Sequence, residues 1–143
     1  MKDIVVGMGE ALWDMLPEGK KIGGAPANFA YHVSQFGLSS CVVSAIGDDS
    51  LGKEIIENFA SKGLNHHIAQ VPYPTGTVQV DIDQAGIPQY EIKENVAWDN
   101  IPYTAHLEAL AENTKAVCFG SLAQRSVVSV SYTHLRAHET GRN

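Results

Sequence analysis

Two stretches decide the fold: Ile4-Val5-Val6-Gly7-Met8-Gly9, and the segment at residues 27–36 that follows it along the chain. The first is a short apolar run, rich in β-branched residues and ending in glycine, which is typical of a fully buried strand. In the second, apolar side chains recur at helical spacing, and Gly37 stands where a helix would end. A strand that leads into a helix predicts the first unit of a layered α/β domain.

The same unit recurs further along the chain. Residues 41–46 form a second apolar run, and residues 50–60 form an amphipathic pattern with Gly63 beyond its end. Two strand and helix units in succession predict a parallel sheet. We expect another helix at residues 104–113 and another buried strand at residues 116–120.

Between these units the hydrophobic period changes to two. Residues 77–83 and 90–92 alternate apolar and polar side chains, and Asp83-Gln84-Ala85-Gly86 between them is typical of a turn. An antiparallel hairpin with one polar face does not fit the middle of a parallel sheet that is covered on both sides. We therefore expect this hairpin to project from the sheet as a flap or small lid.

Composition limits the class of protein. The 143 residues are 44% hydrophobic, with 10 basic and 16 acidic side chains and a net charge of −6, as in an ordinary soluble domain. The chain lacks a Lys/Arg cluster and an apolar stretch of membrane-spanning length, so we expect no nucleic-acid partner and no membrane. Cys41 and Cys118 lie in apolar runs, which predicts reduced core cysteines in a cytoplasmic protein.

The last fourteen residues differ from the rest. Apolar periodicity ends at about Val130, and the following residues resemble the translation of a sequencing-library adapter. We therefore expect native sequence at 1–129 and a non-native read-through tail at 130–143. His134 and His138 stand four apart, but no acidic or thiol ligand is placed to complete a site, so we predict no metal.

The sharpest candidate site is Gly-Gly-Ala-Pro-Ala-Asn at residues 23–28, where the first helix begins. Glycines allow close approach of a ligand to the backbone, Pro26 favours the first helical turn, and the N–H groups there favour polar or anionic groups. Asn28 offers a donor and an acceptor, which suits a sugar hydroxyl. A plain helix cap explains the same residues equally well.

Acidic residues follow the first two predicted strands. Asp14 comes just after the first strand, where ligands of open parallel sheets bind, and it can accept hydrogen bonds from hydroxyls. A solvated loop acid is an equal alternative. For Asp48 and Asp49, after the second strand, a helix N-cap with acids favoured by the helix dipole is the preferred interpretation.

Together these motifs resemble the N-terminal signature of ribokinase-like sugar kinases, also called the phosphofructokinase B family. The signature is Gly-Gly-Ala-Pro-Ala-Asn-Phe-Ala at residues 23–30, followed by Gly37 and Gly47 at the family's spacing. Further blocks are similar to the fructokinase branch, at residues 9–14, 47–52, 74–78, 94–99 and 120–125. The ordered blocks span nearly all of the chain before the suspected tail.

The resemblance implies a fold and an activity. The fold is a ribokinase-like, Rossmann-like parallel sheet with helices on both faces, plus a small β-sheet lid built from about residues 15–23 and 74–98. The activity is phosphorylation of a small sugar by ATP with Mg²⁺, most simply fructose to fructose 6-phosphate. Ribose, a keto-deoxy sugar acid or a nucleoside stays open as the substrate. A non-catalytic chain that binds sugar or self-associates through the lid as a homodimer also stays open.

The resemblance also implies roles for particular residues. The substrate-binding set is Asp14, Gly23, Gly24, Asn28, Trp98 and Arg125. Trp98 would pack over the sugar ring or lie in the core, and Arg125 would meet substrate or phosphate charge or be solvated. The family's anion hole and catalytic base lie in an Asp-Thr-x-Gly-Ala-Gly-Asp motif that does not occur in the 143 residues. We therefore expect an N-terminal part of a kinase, with no catalytic residue and no tightly bound ATP or Mg²⁺, that is inactive alone.

Overall fold

A computed structural model describes residues 3–125 of the chain. The elements in chain order are β1 (Ile4–Met8), β2 (Leu12–Leu16), β3 (Gly19–Gly23), α1 (Ala25–Gln35), β4 (Ser40–Ile46), α2 (Ser50–Ser61), β5 (His66–Gln70), β6 (Gly76–Ile82), β7 (Pro88–Ile92), a 3₁₀ helix η1 (Ala97–Asn100), α3 (Ala105–Glu112), β8 (Thr114–Phe119) and a second 3₁₀ helix η2 (Leu122–Arg125).

The first sheet is parallel, as the sequence predicts. Its strand order is β5-β4-β1-β8, and every neighbouring pair runs in the same direction. Val6 of β1 lies opposite Cys41 of β4 on one side and opposite Val117 of β8 on the other. All seven residues of β4 are buried, because helices cover both faces of this strand.

Alternate side chains of β4 point into two separate cores. Val42 and Ile46 pack with Ile55 and Phe59 of α2 and with buried alanines of α1. The residues between them along the strand, such as Val43, pack on the other face with buried side chains of η1 and α3. The sheet is therefore sandwiched between two helical layers, which confirms the predicted α/β class.

Helix ends follow the signals in the sequence. Asp49 is the N-cap of α2, and its carboxylate accepts a hydrogen bond of 2.8 Å from the Gly52 N–H, which confirms the predicted cap. Thr104 caps α3 in the same way, accepting from the Leu107 N–H at 3.1 Å. α1 ends just before Gly37, whose φ of 80° few other residues adopt.

The second sheet is mixed, in the order β3-β2-β6-β7. β2 pairs antiparallel with β3 and parallel with β6, while β6 and β7 form the predicted antiparallel hairpin. At the tip of that hairpin the Asp83 carboxylate accepts hydrogen bonds of 2.9 Å from the N–H groups of Ala85 and Ile87. The predicted lid therefore corresponds to this four-stranded sheet. The sheet begins at Leu12 of β2, before the predicted lid segment at about residues 15–23.

Two features of the first sheet differ from the sequence predictions. β5 was not anticipated, because its sequence His-His-Ile-Ala-Gln lacks both an apolar run and a strict alternation. β8 was expected to be buried, yet Cys118 is exposed because β8 pairs with β1 alone in the described part of the chain. Cys41 is buried as predicted, and burial raises the pKa of its thiol to about 11.

The predicted tail at 130–143, with His134 and His138, lies outside the described residues, as does the boundary at residue 129. Across residues 3–125 the structure contains no helix that is both long enough and apolar enough to cross a membrane.

Candidate functional site

The two glycines between β3 and α1 are packed against the segment that follows β1. Gly23 ends β3, and a Cβ there would lie 2.5 Å from the Asp14 Oδ2 atom. Gly24 is the N-cap of α1 with a φ of 109°, and a Cβ there would collide with the backbone carbonyl oxygen of Glu10. Close packing therefore favours glycine at both positions, and Gly24 also needs glycine for its positive φ at the helix cap.

Asp14 lies on β2, in the interior of the second sheet. Its neighbours in register are Lys21 of β3 and Val78 of β6. The side chain is half-buried, and burial raises the pKa of its carboxyl group. Asp14 is therefore a strand residue and not a loop acid, because strand pairing on both sides holds it beside Gly23.

Asn28 lies in the first turn of α1, beside the same glycines. Its backbone N–H donates a hydrogen bond of 3.0 Å to the Gly24 carbonyl, and its side chain is exposed. Asn28 also lines a cleft of about 20 Å³ between α1 and α2, together with Ile22 and Lys62. The structure thus gathers Asp14, Gly23, Gly24 and Asn28 around one turn.

Glu10 is a residue that the sequence interpretation missed. It follows β1 after Gly9, is 7% exposed, and its Oε1 atom has no hydrogen-bond partner within residues 3–125. Burial raises the pKa of this carboxyl group, and a hydrogen bond with its own backbone only partly offsets that effect. The sequence contains a signal for this residue, because Glu10 is an acid at the carboxyl end of a buried strand, which is the position predicted for Asp14.

Trp98 occupies a core position in η1. It is 1% exposed and packs against the start of β6, where a side chain on Gly76 would collide with the indole. Of the two alternatives for Trp98, packing over a sugar ring or lying in the core, the structure shows the core.

Arg125 is held at the end of η2 by three hydrogen bonds. Its Nε donates to Asp99 Oδ1 at 2.6 Å, and its Nη2 donates to Asp99 Oδ2 at 2.8 Å and to the Lys93 carbonyl at 2.7 Å. The guanidinium carbon lies 4.4 Å from the centre of the Trp98 ring. Hydrogen bonding to Asp99 raises the pKa of Arg125, so this side chain is a charged clamp and is not merely solvated.

The same clamp borders an open pocket at the base of the lid. The pocket has a volume of about 320 Å³ and is lined by Glu94, Asn95, Asp99, Asn100 and Arg125. Its walls do not include any of the four residues around the Gly23-Gly24 turn. Of the predicted set, Arg125 alone lines this pocket.

A hydrogen-bond network ties the lid to α2. The Asp49 carboxylate accepts from the Thr75 N–H at 2.9 Å and from the Thr75 hydroxyl at 2.6 Å, and the Gly47 N–H donates to the Thr75 hydroxyl oxygen at 2.9 Å. Burial acts to raise the pKa of Asp49, but the hydrogen bonds from Thr75 and Gly52 outweigh it and lower the pKa. Asp49 therefore joins the N-terminus of α2 to the residue before β6.

A metal site is not formed by the described residues. Within residues 3–125 there is no group of three or more His, Cys, Asp or Glu side chains arranged to hold an ion.

Comparisons with known proteins agree on one protein family. A family model described as "pfkB family carbohydrate kinase" matches residues 18–138. The ATP-dependent 6-phosphofructokinase of Thermoanaerobacterium thermosaccharolyticum is 33% identical over 103 residues, which are 71% of this chain and 31% of that protein. A fructokinase of Klebsiella pneumoniae is 34% identical over 86 residues, which are 55% of this chain and 28% of that protein.

A solved structure shows the same fold. An uncharacterized sugar kinase from Pyrococcus horikoshii superimposes with a TM-score of 0.80 and 26% identity, covering 98% of this chain and 52% of that one. The chain therefore spans less than a third of the two curated relatives and about half of this solved structure. The ribokinase-like arrangement of a parallel sheet with helices and a small second sheet is confirmed.

Proposed function

The chain belongs to the pfkB family of carbohydrate kinases, and from that membership we propose that its protein transfers the γ-phosphoryl group of ATP to a hydroxyl of a small sugar. The observation that carries the proposal is the half-buried Asp14 held against the Gly23-Gly24 turn, close to the carboxyl end of β1. Ligands of open parallel sheets bind at this end of the strands.

The groups around the turn suit a polyhydroxylated ligand. The Asp14 carboxylate accepts hydrogen bonds from hydroxyls, and a charged acceptor makes stronger hydrogen bonds than a neutral one. α1 begins without a side-chain cap from the described residues, so its first N–H groups remain donors for the ligand. Asn28 adds one donor and one acceptor. We assign Trp98 and Arg125 the supporting role of holding the base of the lid.

The second sheet serves as the lid in this proposal. Its β2 strand is anchored by a hydrogen bond of 2.9 Å from the Trp13 indole N–H to the Leu51 carbonyl of α2, and its β6 strand by Thr75. A lid that closes over the sugar excludes water, which is the competing acceptor for the phosphoryl group. Among residues 3–125, β7 is an edge strand that pairs with β6 alone, and all five of its residues are exposed, so two lids can pair in a homodimer.

We propose fructose as the substrate and its O6 hydroxyl as the acceptor, supported by the Klebsiella fructokinase. The second candidate is fructose 6-phosphate, favoured by the Thermoanaerobacterium 6-phosphofructokinase. Fructose 6-phosphate differs from fructose by a phosphate group, whose negative charge requires a cationic side chain in the site. Lys21, exposed and opposite Asp14 in register, is the basic residue placed for it.

We propose that residues 1–129 are the N-terminal part of the kinase and that the 143 residues do not catalyse the transfer alone. Phosphoryl transfer depends on positioning and on electrostatic stabilisation of the transferred group. The motif that supplies the family's base and anion hole does not occur in the sequence. ADP production by the purified chain with ATP and fructose would contradict this part of the proposal.

Titration of the purified chain with fructose, fructose 6-phosphate and ribose tests the sugar site. We expect Asp14→Asn to weaken fructose binding about tenfold or more, because a charged hydrogen bond of about 1.5–3 kcal/mol is lost. The matched control is Asp81→Asn, the same change at an exposed position of β6. Equal affinity of D14N and wild type would refute the assignment. Preference for fructose 6-phosphate, abolished by Lys21→Ala, would select the second candidate.

A further inference from the structure

A buried carboxyl group occupies the corner where β1, β8 and α1 meet. Glu10 follows β1, Gly120 follows β8, and Pro26 lies in the first turn of α1. A Cβ on Gly120 would lie 3.0 Å from Glu10 Oε1 and 3.7 Å from the Pro26 ring. The carboxyl group therefore fills the space that a side chain at position 120 would need.

One oxygen of this carboxyl group has no hydrogen-bond donor. The Oε1 atom accepts no hydrogen bond within residues 3–125, and Pro26 and Gly120, which lie beside the carboxyl group, carry no charge. Burying an acceptor atom without a donor is unfavourable, and most buried polar atoms of native proteins are paired. Acids with shifted pKa values are concentrated at functional sites.

The corner borders the proposed sugar site. The backbone carbonyl of Glu10 lies directly under Gly24, the N-cap of α1. A ligand at the Gly23-Gly24 turn would thus meet donors from the helix N-terminus and, close by, an acceptor that is still without a partner. A sugar hydroxyl is both an acceptor and a donor, so it matches this combination.

We propose that Glu10 is a second sugar-binding carboxylate, which accepts a hydrogen bond from a hydroxyl of the bound sugar. The inference rests on the proposed function, since it assumes that a sugar binds at the turn. In the free chain burial favours the neutral acid, whereas a hydroxyl donor favours the carboxylate. Binding of a sugar therefore releases a proton from Glu10 to the buffer, and the affinity for sugar rises with pH.

Calorimetric titration with fructose in two buffers of different ionisation enthalpy measures this proton directly. At about pH 5.5 we expect wild type to release protons on binding, and Glu10→Gln to bind about tenfold more weakly and to release fewer protons. Asp14 is the other titratable acid of the site, so Asp14→Asn is included and should still release the Glu10 proton. Glu18→Gln, the same change in the exposed β2–β3 turn, should behave as wild type.

Each further outcome has a defined meaning. If wild type binds fructose and E10Q binds equally well with equal proton release, the Glu10 inference is overturned while the proposed function stands. If D14N loses binding and E10Q only lowers the melting temperature, by the same amount with and without fructose, Glu10 is structural and the inference is again overturned. If wild type binds none of the sugars, both the inference and the proposed sugar site are overturned.

Discussion

Gly24 is constrained both by its backbone conformation and by close packing. Its φ of 109° is unfavourable for a side chain, and a Cβ would also collide with the Glu10 carbonyl. We expect Gly24→Ala to reduce the free energy of unfolding by about 2 kcal/mol or more, because backbone strain and a steric clash add. Urea denaturation measures this change.

Gly63 is the matched control for that substitution. It also has a positive φ, of 66°, but no atom lies within 4 Å of a Cβ placed there. Gly63→Ala should therefore show the strain alone, at about 1 kcal/mol. A loss in G24A no greater than in G63A would show that packing against Glu10 is unimportant.

His67 gives the fold a dependence on pH. Burial on β5 lowers the pKa of His67 below 6.5, and the nearby His106 of α3, with ring centres 6.4 Å apart, lowers it further. The unfolded chain then binds more protons than the folded chain between the lowered pKa and 6.5. The stability that neutral His67 contributes is fully present above the pKa that His67 has in the unfolded chain. It is lost as the pH falls through the lower pKa that His67 has in the folded chain.

Thermal unfolding between about pH 5 and pH 8 tests this dependence. We expect the melting temperature of wild type to fall on acidification and the fall to be smaller in His67→Asn. His32→Asn, at an exposed position of α1, is the control and should follow wild type. The same slope in H67N and wild type would contradict the role given to His67.

At the scale of elements, one hydroxyl connects α2 to the lid. Thr75 donates to Asp49 at 2.6 Å and accepts from the Gly47 N–H at 2.9 Å. Thr75→Val keeps the shape and leaves both groups without this partner, so we expect a loss of about 1–3 kcal/mol in unfolding free energy. Thr77→Val, two residues along in β6, is the control and should be nearly neutral.

Hydrogen exchange shows whether this network also holds the lid. The amides of β6 and β7 should exchange faster in T75V than in T77V, because the start of β6 loses its attachment. If exchange accelerates equally throughout both sheets, Thr75 supports global stability only.

The elements differ in how far the sequence reveals them. β1 and β4 are apolar runs, α2 has a clear amphipathic period and a capping acid, and these were predicted. β2 and β5 have mixed sequences and were missed, because their partners along the sheet, rather than their own side chains, make them strands. Position within a sheet depends on residues far away in the chain.

At the scale of the whole molecule, apolar surface is concentrated on the lid. Tyr90 is 67% exposed, and Ile82 and Ile87 are each 56% exposed. An unpaired edge strand with exposed apolar side chains favours pairing between copies of the chain. We expect light scattering after size exclusion to show concentration-dependent self-association that Tyr90→Lys reduces.

Phe36 is the control for that experiment. It is 83% exposed and apolar but lies beyond α1, away from the lid, so Phe36→Lys should leave the association unchanged. A larger effect of F36K than of Y90K would place the self-association elsewhere than the lid.

The sequence by itself determined the apolar strands β1 and β4, the helices α1 to α3, the lid hairpin, the glycine turn at the start of α1 and the resemblance to sugar kinases. These depend on contiguous residues, whose spacing carries helix, strand and turn preferences. Only the tertiary structure decided that Trp98 is core, that Arg125 clamps Asp99 and that the Oε1 atom of Glu10 is buried without a hydrogen-bond partner among residues 3–125. Burial and pairing are made by residues distant in the chain, so they set the chemistry of an acid or a base only after folding.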